Sequence, residues 1–322
     1  MSEIVDERLR DTVIKVIGVG DYGSNAVDCM IANGVQGVEE FIAINTDAQA
    51  LKCSKAPSKL QIGATHTQGM APGSIPDAGH AATEEDRSRI AELIRGANML
   101  FIIADMDGRT GTGVATVLAQ IAYEMDILSV AVVTKPFAQD DERMRLAEAG
   151  IETLLKHVDT LIVVSNQKLK TILGEDATVQ EVMCYSNSVL QDAVESVANA
   201  INISGLVCVD FSDMRDLMSE NGMAIFGRGT ASGQNRAKVA AERAISCLLL
   251  EDVNLEEAGG AWAHISSTSR LTLKEYREVH NSVEFTAKYA NKFVTSTFNE
   301  DMGDELRVTI VVTGLGSNKR YA

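Results

Sequence analysis

The chain has 322 residues, 45% of them apolar and 23% charged, with a formal net charge of −16. That length and composition describe a globular protein with a large core, and the acidity argues against nucleic acid and anionic membrane as direct partners. No apolar run approaches the roughly 20 residues of a membrane span, and the opening MSEIVDERLR is too charged for a signal peptide. Cys29, Cys53, Cys184, Cys208 and Cys247 are scattered without a CxxC pair, and the histidines are dispersed. They read as reduced thiols of a cytoplasmic protein and suggest no metal site.

Taken in order, residues 1–12 read as a polar arm or short helix. Val13 to Gly18 is a first strand, and Val19 to Gly34 is a glycine turn opening a helix. Phe41 to Asn45 is a second strand, ending in Thr46 and Asp47. Residues 63–80 form a loop rich in Gly, Ala and Pro, followed by the charged helix TEEDRSRIAELIRG. The apolar run Met99 to Ile103 is a buried strand that leads into Gly108, Gly111 and Gly113, with Thr110 and Thr112 between them. The next segment, VATVLAQIAYEM, has helical spacing. Leu128 to Thr134 and Thr160 to Ser165 are further strands. Strands alternating with helices imply a parallel sheet covered on both faces, with ligands at the carboxyl ends of the strands, where the glycine turns fall.

From Val179 apolar residues recur at helical spacing through Ile201, which predicts a long helix bridging two regions. Strands are expected beyond it near 222–226, 261–266, 293–298 and 306–313. The predicted fold is thus α/β: a Rossmann-like parallel-sheet domain over 1–178, a connecting helix over 179–203 and a smaller mixed α/β domain over 204–322.

Two readings of the glycines are open. Gly18-Val19-Gly20-Asp21-Tyr22-Gly23 fits G-x-G-x-x-G between a strand and a helix, with Asp47 after the next strand, which is a dinucleotide fingerprint. It leaves the second glycine loop and the long helix unexplained. Glycine turns also grip phosphate through exposed N–H groups, but Asp105 and Asp107 sit where such a cradle should be neutral, and Arg109 interrupts it.

Over roughly 11–316 the chain resembles the FtsZ family, the bacterial tubulin-like division GTPases. The resemblance rests on NTDAQAL at 45–51, AVVTKPF at 131–137, MSENGMAIFGRGTASGQNRA at 218–237, LLLEDVNL at 248–255 and DELRVTIVVTGLG at 304–316. It implies a GTPase-type domain, a central helix and a second domain. It also implies a cytoskeletal filament in which one subunit's acidic loop completes the site on the next. By that resemblance the phosphate side comprises Gly20, Asp21, Tyr22, Gly23, Asn25, Asp47 and Gly73, then Asp105, Asp107, Gly108, Arg109, Thr110, Gly111, Thr112 and Gly113. Arg143 is kept, and the base side comprises Asn166, Met183 and Ser188. Asp210 and Asp213 match the family's two acidic-loop aspartates, with Cys208 in place of an Asn.

The departures cluster at this site. Asp21, Tyr22 and Ser24 stand in a loop that is nearly all glycine in the family, and Asp105, Asp107 and Arg109 break its second glycine signature. Ala71, Pro72 and Ile75 alter the loop expected to sense the terminal phosphate. Met183 replaces a stacking Phe, Ser188 replaces the guanine-reading Asp, and the loop after Phe137 looks one residue short. One extra negative charge about 4 Å from another costs on the order of 4 kcal/mol at an effective dielectric near 20. The expectation is therefore a head-to-tail filament subunit with impaired or absent binding and hydrolysis of GTP, Mg²⁺ accompanying only a bound nucleotide. Asp210 and Asp213 would then persist as interface residues, and Tyr22 and Arg109 would fill the cleft, Arg109 facing the carboxylates. Partners expected are further copies of the chain and an FtsZ with an intact site, without direct membrane contact. Two alternatives stay open: a GTP-hydrolysing division protein with an altered pocket, and a regulator that co-assembles with or caps a true FtsZ.

Overall fold

The computed structural model describes residues 12–64, 78–107, 109–136, 141–174, 176–203, 205–207, 209–220, 222–248, 255, 258–286 and 290–315. The apolar runs of the first half become the parallel strands β1 (Ile14–Val19), β2 (Glu40–Asn45), β3 (Ser58–Gln61), β4 (Met99–Asp105), β5 (Leu128–Lys135) and β6 (Thr160–Ser165). They alternate with helices α1 (Gly20–Ala32), α2 (Ala48–Cys53), α3 (Ala78–Glu85), α4 (Arg87–Ile94), α5 (Arg109–Glu124), α6 (Asp141–Leu154) and α7 (Asn166–Leu173). β4 and β5 are apolar almost without interruption because helices cover both faces of a parallel sheet.

The long helix is α8 (Val179–Asn202). Its start is fixed by a capping box, in which Thr178 Oγ1 accepts from the Glu181 N–H at 3.2 Å while the Glu181 carboxylate accepts from the Thr178 N–H at 2.8 Å. After it come β7 (Gly205–Val207), α9 (Phe211–Met218), β8 (Gly222–Ser232), α10 (Arg236–Leu248), β9 (Gly260–Ser267), α11 (Leu273–Thr286), β10 (Asn291–Phe298) and β11 (Glu305–Leu315).

All the strands join one eleven-stranded sheet in the order β3-β2-β1-β4-β5-β6-β8-β11-β9-β10-β7. The sequence suggests two regions bridged by a helix; the backbone shows a hydrogen-bonded sheet running through both, because β6 pairs in parallel with β8. Thr160 at the start of β6 reinforces that seam by donating to the Met218 carbonyl. One core layer packs α1, α8 and α9 on one face of the whole sheet, and two further clusters fill the opposite face.

Three differences from the sequence reading have local causes. β3 and β7 lack an apolar rhythm and are short edge strands. The charged helix expected over 83–96 is broken at Asp86, whose carboxylate leaves the helix to accept from the Gly63 N–H at 2.7 Å and from Arg89 at 2.6 Å. The expected arm at 1–12 lies outside the described residues apart from Thr12.

α8 is tied to the last strands by polar contacts inside the core layer. Ser196 Oγ lies 3.0 Å from Thr309 Oγ1, and the buried Asp192 carboxylate pairs with Arg228, with Arg307 4.0 Å away. Burial pushes the Asp192 carboxyl up to about 6, against the pull of both guanidiniums. A raised folded value means the group's contribution to stability is fully present below the ordinary carboxylate range and is lost as pH rises through about 6. Asp192→Asn removes the ionised form that burial disfavours, so the variant's stability relative to wild type is expected to improve as pH rises through about 6. Denaturation midpoints of the two proteins across the acid-to-neutral range check this; a stability difference that does not change with pH, or that worsens towards neutrality, contradicts it.

Candidate functional site

The strand order places β1 beside β4, each followed by a glycine turn and a helix, at the switch point of the first six strands. The approach there is so close that a Cβ on Gly23 would overlap the Ile103 carbonyl oxygen, and one on Gly111 would overlap that of Asp105. These two glycines serve helix-to-sheet packing whatever binds. Gly20 differs: it has φ +71, and a Cβ there would meet only the Gly111 N, at 4.0 Å. The two turns thus face one another across a narrow backbone cradle, with the N-terminus of α5 on one side.

The carboxylates of the cleft are separately satisfied. Asp21, exposed, accepts from Asn45 Nδ2 at 2.7 Å. Asp105 accepts from the Thr134 hydroxyl at 2.9 Å and the Asp107 N–H at 3.1 Å; burial raises its pKa, and the neighbouring Asp107 charge adds to the rise. Asp107 pairs with Arg143 at 3.2 Å, both partly exposed. The sequence leads one to expect an uncompensated acidic cluster answered by Arg109. The structure places Arg143 against Asp107, where the first turn of α6 brings it; the side chains of Arg109 and Thr110 lie outside the described residues. Gly73 and Gly108, with Ala71, Pro72, Ile75, Cys208 and residues 137–140, are also outside them. Thr112 and Gly113 continue the first turns of α5; Asn25 is exposed on α1. Asp47 caps α2 by accepting from the Gln49 N–H at 2.7 Å, a structural duty independent of any ligand.

At the far side of the cleft Asn166 opens α7 directly after β6, 5% exposed, and its Oδ1 has no hydrogen-bond partner among the described residues. Ser24 after β1 and Thr46 after β2 likewise carry buried hydroxyls without partners. Such groups are costly to leave unpaired, and three of them follow carboxyl ends of parallel strands. Met183 and Ser188 are half-buried on α8. The Ser188 hydroxyl donates to the Tyr185 carbonyl at 2.7 Å and lines a neighbouring cavity of about 580 Å³ between α7, α8, β8 and α10. Tyr22 reaches from α1 to α8, its hydroxyl 2.6 Å from Ser186 Oγ. Burial pushes its phenol up to about 12, so it is neutral near neutral pH.

The acidic pair is structurally divided. Both are exposed, but Asp210 caps α9, accepting from the Asp213 N–H at 2.9 Å and Ser212 Oγ at 2.7 Å, whereas Asp213 lies on the first turn. Sequence reasoning missed Asn45, Thr134 and Ser186. Asn45 and Thr134 end apolar strands and were legible as strand-end polar residues; Ser186 carries no signal in a helix of mixed composition. Asn166 offers an acceptor to a ligand's donor, while Asp105 and Asp107 beside the turns make the cradle less suited to phosphate.

The chain matches the family model of the Tubulin/FtsZ GTPase domain over residues 13–174 and that of the FtsZ C-terminal domain over residues 222–316. It is 48% identical to the cell division protein FtsZ of Pseudomonas aeruginosa over 98% of this chain and 81% of that protein. It is 45% identical to that of Coxiella burnetii over 99% and 83%. An empty FtsZ dimer of M. jannaschii superposes with a TM-score of 0.87 at 35% identity, covering 96% of this chain and 89% of that one. A GTPγS-bound CetZ2 protofilament of Haloferax volcanii, 18% identical with a TM-score of 0.79 over 96% and 95%, shares the fold. On these matches, which span nearly its whole length, the chain belongs to the FtsZ family.

Proposed function

We propose that the chain is a head-to-tail filament subunit of the division type that takes guanine nucleotide in the cleft between the two glycine turns and Asn166, through a pocket altered at its phosphate end. The observation that carries this is the buried Asn166 Oδ1, without a partner among the described residues, an acceptor suited to the N–H edge of guanine. The names of its relatives support the reading: cell division proteins at 48% and 45% identity, and an FtsZ dimer at 35%. In it, residues 1–178 hold the nucleotide, α8 connects, and 204–322 present the acidic loop to the next subunit. Gly20 and Gly111 offer backbone N–H groups to phosphate, and Asp213, exposed where Asp210 is committed to its cap, reaches the neighbour's cleft. Bound Mg²⁺-GTP would supply the cleavable phosphoanhydride.

Fluorescent GDP and GTP titrations test the base contact. Asn166→Ala is expected to weaken binding about tenfold or more, the loss of one hydrogen bond in a buried site. An unchanged affinity overturns the assignment of the base.

The packing of Asp105 and Asp107 beside the cradle favours a second reading, in which nucleotide binding is impaired and filaments form without it. Asp107→Gly then raises nucleotide affinity roughly ten- to a hundredfold, since a partly exposed charge exerts well below the full Coulomb term. Equal affinity removes the basis of this reading.

Sedimentation after enzymatic removal of nucleotide measures assembly. Asp213→Ala is expected to reduce the pelleted fraction with little change in thermal stability. Asp210→Ala should in addition lower the melting temperature through loss of the helix cap. Normal pelleting of Asp213→Ala speaks against a head-to-tail contact at this loop.

A further inference from the structure

Tyr22 occupies a place that the satisfied carboxylates do not explain. It lies in the first turn of α1, behind β1, yet its side chain leaves the helix and crosses to α8. The hydroxyl is 2.6 Å from Ser186 Oγ, with the Asp105 carboxylate and the Thr134 hydroxyl that bonds it nearby at the ends of β4 and β5. In the sheet β5 stands between β4 and β6. A ligand extending from the backbone cradle of Gly20 and Gly111 to Asn166 after β6 must therefore pass over the end of β5, where the Tyr22 hydroxyl sits. The ring packs against the core layer that contains α8.

We propose that Tyr22 is a built-in occupant of the cleft: bonded to Ser186 it bridges the crevice, and a nucleotide binds only in the conformer whose phenol has swung away. This rests on the nucleotide-binding reading above and adds a competition within the chain to it. In the bridged conformer the neutral phenol fills part of the space between the turns and Asn166 and pairs Ser186, which is fully buried on α8. The cleft is thus hydrogen-bonded across without ligand. Apparent affinity is the intrinsic affinity reduced by the open fraction. Because Ser186 belongs to the helix that also carries Asp192 and Ser196, leaving the bridge changes a contact of the element tied to β8 and β11.

Binding of fluorescent GDP to wild type, Tyr22→Gly, Ser186→Ala and Asn166→Ala tests this. Tyr22→Gly is expected to bind about ten- to a hundredfold tighter, and Ser186→Ala several-fold tighter, since each raises the open fraction. Asn166→Ala should still bind more weakly than wild type. If wild type binds through Asn166 while Tyr22→Gly binds no tighter, the occupant is refuted and the nucleotide reading stands. If neither wild type nor Tyr22→Gly binds, both are refuted. Should Tyr22→Gly not fold, Ser186→Ala decides: affinity equal to wild type overturns the proposal.

Discussion

The site depends on the zero-clearance contacts that the first turns of α1 and α5 make with the end of β4. Gly23 lies against the Ile103 carbonyl and Gly111 against that of Asp105, with no room for a Cβ at either. A side chain at either place would push a helix off the sheet, and interiors packed to crystal-like density do not absorb such a shift. These contacts hold the two turns face to face and aim their N–H groups into one crevice. Two glycines of the signature are thus retained by packing, so their presence says little about nucleotide. Gly20, which borders open space, is the glycine whose conformation shapes the cradle itself.

Charge in the crevice is handled locally. Three carboxylates that would repel one another and any phosphate are each given a donor: an amide for Asp21, a hydroxyl and a backbone N–H for Asp105, a guanidinium for Asp107. The Arg143–Asp107 pair is partly exposed and worth at most about 1 kcal/mol in stability. Its effect is to offset the charge of Asp107. Asp105 is the stronger constraint, because its burial raises its pKa and makes a further anion nearby costly. The side of the crevice at the glycine turns therefore differs chemically from the Asn166 side, where an acceptor has no partner among the described residues.

α8 links these local arrangements to the rest of the molecule. It meets Tyr22 through Ser186, and further along Asp192 and Ser196 meet β8 and β11. Since β6 and β8 share hydrogen bonds, the sheet and the helix run in parallel paths between the two halves of the chain. A change in the cleft has a rigid element through which to be felt at the far strands.

Much of this was legible in the linear chain. Apolar runs gave β1, β4, β5 and β6 to within a residue or two, helical spacing gave α8, and the long ordered stretches at 45–51, 131–137 and 218–237 carried the family. These features are periodic or contiguous, and each residue's environment there follows from its neighbours in sequence. The membership of the cleft was also readable, since glycine turns follow strands. The partnerships inside it were not. Nothing local pointed Arg143 at Asp107, Tyr22 could be solvated or buried, and Ser186 had no distinguishing neighbour. Only the folded chain, by setting β5 between the turns and Asn166 and laying α8 across them, decided that Arg143 answers Asp107 and that Tyr22 meets Ser186. Pairings 36 and 164 residues apart depend on how helices dock on the sheet, which local propensity does not encode.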